Sequence, residues 1–175
     1  VYAADILKVG PQGLALLGAA PAVGASLIAI LFSFRPIKHD VGRKMLGAVL
    51  VYGVATIVFG VSTSLWLSLA ALAVAGGADM FSVYIRQSLI QLYTPDDKRG
   101  RVGAVSQLTI SASNELGEAE SGFLAAAMGP IGAVIVGGSG AIVVTLLWAY
   151  LFPSIRNARS FEPPVSPETK AMEAV

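Results

Sequence analysis

The sequence predicts an all-α membrane protein of about five transmembrane helices, from three observations. First, 55% of its 175 residues are apolar and only 13% are charged, against roughly 25% charged in an average soluble domain. A chain so poor in charge, with a mean hydropathy of +0.72, cannot cover a globule of its own size with polar surface, and it is far too apolar for disorder. Second, the charges leave long gaps. No Asp, Glu, Lys or Arg occurs from Val9 to Phe34, from Met45 to Ala78, or from Ser121 to Ile155. Each gap exceeds the roughly 20 residues that cross a hydrocarbon core. Third, small turn-forming clusters divide the two longer gaps: Ser62-Thr63-Ser64 and Met128-Gly129-Pro130.

Residues 1–10 read as an external segment trailing from a missing helix. The first span is expected over about Gln12–Phe34, entered through Pro11, whose missing N–H is not needed in a first helical turn. The second is expected over Met45–Val61. The third covers Trp66–Tyr93, longer than a bilayer needs. The fourth covers Arg101–Ala127, and the fifth Ile131–Phe152. Pro21 interrupts the donor pattern of the first span and is expected to kink it. From Arg156 onward the composition changes, with Pro163, Pro164 and Pro167 among charged residues, which reads as a disordered cytoplasmic tail.

Basic residues orient the spans. Arg35, Lys38, Arg43 and Lys44 follow the first span, and Arg86, Lys98, Arg99 and Arg101 surround the third-to-fourth connection. Arg156, Arg159 and Lys170 lie in the tail, and only Lys8 falls on the other side. By the positive-inside rule the basic loops and the C-terminus are cytoplasmic and the N-terminus is external. An odd number of spans, with neither an initiator Met nor a signal peptide, suggests a fragment whose upstream helices are missing. Small residues at helical spacing, Gly18, Ala22, Ala25, Ser26 and Ala29 with Gly24 beside them in the first span and Ala133, Gly137 and Ala141 in the fifth, suggest close helix packing.

Ionisable groups inside a span are costly and usually functional. Asp79 lies seven residues before Arg86, so the two share a helical face, about 10 Å apart along the axis. Asp79 is a candidate for transport or gating, or else a buried carboxylate held by hydroxyls such as that of Ser82. In the fourth span Gln107, Ser111, Asn114, Glu118 and Ser121 recur at steps of four and three. A polar stripe on a membrane helix must face protein or water, because lipid offers no hydrogen bonds. Glu115 and Glu118 adjoin at i and i+3. Two adjoining carboxylates in a low dielectric resist carrying two charges, which suits proton coupling; alternatively they line an outer vestibule.

Other chemistries lack material. There is no cysteine, and His39 is the single histidine, read as a solvated loop residue. No thiolate nucleophile, Cys-ligated metal site, phosphate-cradling loop or catalytic constellation is legible. No cofactor is implied, and a net charge of +1 does not point to nucleic acid.

The stretch from Gly76 to Gly122 reads GGADMFSVYIRQSLIQLYTPDDKRGRVGAVSQLTISASNELGEAESG. Its Asp79-to-Arg86 segment, its Thr94-Pro95-Asp96 turn before Arg99-Gly100-Arg101-Val102, and its Ser113-to-Gly122 segment together resemble the second half of the major facilitator superfamily, in its drug-and-siderophore exporter branch. The resemblance implies a fold of twelve helices in two bundles, with these spans matching helices eight to twelve. It also implies proton-coupled export of a small molecule by alternating access, in a bacterial inner membrane and beside a missing N-terminal bundle. The family's cytoplasmic signature after helix eight is only partly matched, by Gly42-Arg43-Lys44; Arg35, His39 and Asp40 stand where its first Gly, its Asp and its Arg would be. Arg35, Arg43, Lys44, Arg86, Arg99 and Arg101 are then cytoplasmic gate or topology residues. The competing reading is a membrane scaffold or accessory subunit without a transport cycle.

Overall fold

The computed structural model describes residues 10–156 except 36 and 38. The expected N-terminal segment and disordered tail lie outside these residues almost entirely, as does Lys38. The described chain is all helical. Its elements are α1 (Pro11–Phe34), α2 (Val41–Val61), α3 (Leu65–Tyr93), α4 (Arg99–Leu151) and the single turn α5 (Pro153–Arg156). The first four are long and apolar enough to cross a membrane.

Helix α4 has 53 residues, about 80 Å at 1.5 Å per residue, more than twice a hydrocarbon core. It is not one rod. Gly129 adopts φ 81° and ψ 166°, a conformation open to glycine and strained for other residues, and Pro130 removes the next backbone donor. The break divides α4 into a first arm, 99–128, and a second arm, 130–151. Two membrane-length arms therefore occupy one nominally continuous element.

Helix α1 runs through Pro21 without a break. Helix α2 begins at Val41, directly after Asp40 in a left-handed conformation (φ 55°), so Arg43 and Lys44 stand in its first helical turn and not in a connecting loop. Between α2 and α3, Ser68 Oγ donates a hydrogen bond of 3.0 Å to Ser62 Oγ, and Ser62 Oγ donates one of 3.0 Å to the Ser64 carbonyl. These bonds satisfy polar groups at a tight turn that would otherwise be costly in an apolar setting.

Packing follows the small residues. On α3, Ser68, Ala71, Ala75, Ala78, Ser82 and Ile85 are buried, alternating three and four residues apart along one seam. Helix α1 crosses this region with Gly13, Leu17, Ala20 and Gly24 buried. A Cβ on Gly24 would lie 1.7 Å from the Ala73 carbonyl oxygen, and one on Gly76 would lie 2.1 Å from the Pro21 carbonyl oxygen. The two backbones touch, leaving no room for a side chain. Further along, Phe32 meets Phe81 edge-on at 5.0 Å and Tyr84 at 4.7 Å between ring centroids. Residue numbers rise together along this contact, so α1 and α3 are parallel. The second arm of α4 packs on α2 in the opposite sense: Gly53 abuts Ile142, and Gly60 abuts Val134. These directions place the α1–α2 and α3–α4 connections at one end, and Ser62–Ser64 and Gly129 at the other.

The packing faces differ from the expected ones. On α1 the expected Gly24 is buried and Ala25 and Ala29 are half-buried, whereas Gly18, Ala22 and Ser26 are exposed. On the second arm, Gly138 and Thr145 are buried while Gly137 is exposed. Small residues are so frequent here that they do not choose a face. The choice falls to the fit between α2 glycines and the branched side chains Val134 and Ile142 opposite them.

Candidate functional site

The first arm of α4 contrasts with the rest. None of residues 99–128 is buried. At 100° per residue its surface divides into three strips. Ser106, Ile110, Gly117 and Leu124, half-buried, make the strip nearest the other helices. Gln107, Ser111, Asn114, Glu118 and Ser121 make a polar strip beside it, all exposed. Val105, Leu108, Leu116 and Phe123 stand roughly opposite the polar strip and are exposed too, as suits a lipid-facing side. Glu115, also exposed, sits next to the polar strip.

Helix α3 presents the matching face. Asp79 and Arg86 flank the buried seam and are exposed. Where α3 and the first arm diverge from their connection, they bound a cleft of about 370 Å³ lined by Arg86, Ser106, Thr109, Ile110, Ser113 and Asn114. The cleft combines one guanidinium, three hydroxyls and a carboxamide. Of the sequence candidates, it brings together Arg86 and Asn114 only. Asp79, Gln107, Ser111, Glu115 and Glu118 do not line it, and among the described residues none of them forms an ion pair.

Sequence reasoning missed Ser106, Thr109 and Ser113. Their spacing, with Ile110, is that of a single helical face, but Ser and Thr recur so often along this arm that the stripe beside it drew the eye. The remaining basic candidates lie at the same end of the bundle. Arg35 follows α1, Arg43 and Lys44 open α2, and Arg99 and Arg101 open α4. Arg99 pairs with Asp96 at 2.6 Å on the surface, a contact that fastens the turn but contributes little stability.

Comparison with known proteins gives one relative. The enterobactin exporter of Citrobacter koseri is 30% identical over 155 residues, covering 87% of this chain. Over that stretch the chain is similar to this exporter, in line with the resemblance to the second half of the major facilitator superfamily. It spans about a third of that exporter's length, 36%. No protein-family profile matches the chain, and no solved structure matches it significantly. The likeness extends beyond the Gly76–Gly122 motifs to most of the membrane part, so the chain shares more than one polar helix with the exporter.

Proposed function

We propose that this chain forms the C-terminal half of a secondary active transporter that exports a small molecule, coupled to protons, by alternating access. The observation that carries the reading is the polar strip on the first arm of α4, continued across the cleft by Arg86 and flanked by Asp79. In a bilayer such a surface needs water or protein against it, and an opposing helical bundle enclosing an aqueous path supplies both. The relative's role as an enterobactin exporter supports export of a small molecule. Glu115 and Glu118 would share protons during the cycle, and Arg35, Arg43, Lys44, Arg99 and Arg101 would lie on the cytoplasmic, gated side of an inner membrane.

The test uses the full-length transporter in inverted membrane vesicles. Asp79→Asn keeps the shape and hydrogen bonding of the side chain but cannot ionise. Proton-driven export should fall about tenfold or more, with membrane insertion unchanged, as expected for a functional intramembrane carboxylate. Export at the wild-type rate would remove Asp79 from the mechanism. If mutation of the cleft and strip also left export intact, the scaffold reading would replace this one.

A further inference from the structure

Helices α1 and α2 are consecutive, yet each packs on α3 and they scarcely meet one another. Between them lies a groove of about 490 Å³, floored by α3 and walled by Leu27 and Ile28 on one side and by Lys44, Ala48 and Val51 on the other. Every lining residue is apolar except Lys44. The groove is open along its length: Leu27 is 62% exposed, Val51 48% and Val74 51%. Lys44 stands at its mouth, in the first turn of α2. Ala48 and Val51 follow one and two turns deeper, about 6 and 10 Å along the axis.

The charges around that mouth are unbalanced. Arg43 and Lys44 occupy the first turn of α2 with no acidic residue among them, where the helix dipole already favours an anion. Arg35 is exposed nearby in sequence, and Asp40, the acidic residue of the α1–α2 connection, makes no capping bond and no ion pair with a described residue; Asp96, at the same end, is taken by Arg99. An apolar slot running into the membrane, with an ammonium at its rim that has no ion-pair partner among the described residues, complements the shape and charge of a phospholipid with an anionic headgroup. Basic pockets between transmembrane helices hold such headgroups, while the acyl chain fills the slot and covers Leu27, Val51 and Val74.

We propose that the α1–α2 groove is a binding site for one anionic phospholipid, with its phosphate on Lys44 and an acyl chain along Ala48 and Val51. The site is separate from the polar strip and does not depend on a transport role; it rests on the membrane-spanning character of the helices.

The chain contains no cysteine, so one environment-sensitive fluorophore can be attached at Leu27→Cys. The full protein would be reconstituted in vesicles containing phosphatidylglycerol or phosphatidylcholine brominated on the acyl chains, with Val143→Cys on the exposed side of α4 as the control position. Brominated phosphatidylglycerol should quench the groove label at about fivefold lower mole fraction than brominated phosphatidylcholine, the preference expected of one basic residue near a membrane surface. The control label should show no preference, and added inorganic phosphate should not reverse the effect. Lys44→Gln should abolish the preference and Lys44→Arg retain it, with helix content by circular dichroism unchanged in both. Equal quenching by the two lipids, or a preference that survives Lys44→Gln, would overturn the proposal. So would a groove label that neither lipid quenches, since the slot would then be filled by protein.

Discussion

The contact of α1 with α3 and the contact of the second arm of α4 with α2 bring backbones together at Gly24, Gly76 and Gly53, whereas the first arm of α4, equally rich in Gly, Ala and Ser, buries nothing. Composition does not distinguish these regions; the availability of a complementary surface does. In the packed region, glycines meet a backbone or a branched side chain. In the first arm, Gly117 and Gly122 have nothing within 4 Å of where a Cβ would stand. That arm instead carries its polar residues on one side and its large apolar residues on the other, as a helix does when it separates an aqueous path from lipid. Close packing and polar exposure thus belong to different parts of the same small-residue chemistry.

The largest test of the contrast is steric. Gly24→Leu should prevent folding, because a side chain there meets the backbone of Ala73 and neither helix can retreat without breaking the seam. Overpacking a core costs about 1–3 kcal/mol where side chains can yield, and here the obstacle is main chain. Gly122→Leu should stay within about 0.5 kcal/mol of the parent, as exposed substitutions generally do. Thermal unfolding of the detergent-solubilised protein, followed by size-exclusion recovery, measures both. Equal damage from the two would show that the first arm is as tightly covered as the bundle.

A smaller effect separates the sides of the first arm. Cysteines at Ser111 and Asn114 should react with a membrane-impermeant thiol reagent about tenfold faster than cysteines at Leu108 and Phe123, because only the polar side is expected to meet water. Uniform rates would erase the division into aqueous and lipid faces. Smaller again is the contribution of the adjoining carboxylates. Glu115→Gln and Glu118→Gln should each alter the pH dependence of export, and the double variant more than either. Unchanged profiles would leave both as vestibule charges. The smallest effect concerns the turn that holds α2 to α3. Ser68→Ala removes the hydrogen bond to Ser62 and should cost about 1 kcal/mol, with export unaffected. Because Ser62 Oγ keeps its contacts to Ser64, a loss several times larger would mean that the turn organises the whole bundle.

Much of the architecture was legible before any coordinates. Charge-free stretches marked the membrane helices because a hydrocarbon core excludes Asp, Glu, Lys and Arg. The clusters at Ser62–Ser64 and Met128–Pro130 marked the reversals, because Ser and Thr hydroxyls bond nearby backbone and Gly and Pro alter backbone freedom locally. The polar periodicity at Gln107, Ser111, Asn114 and Glu118 was equally visible, since a helix repeats its faces at a fixed step. These are one-dimensional signals, each set by a residue and its near neighbours in the chain. Tertiary structure decided which small residues touch: Gly24 and not Gly18, Gly138 and not Gly137. It also brought Arg86 into one cleft with Ser106, Thr109, Ser113 and Asn114, and set Lys44 at the rim of an open groove. Those outcomes depend on the shape of a partner helix far away in sequence. Where nearly every position is small and apolar, no local pattern specifies which of several similar faces fits it best.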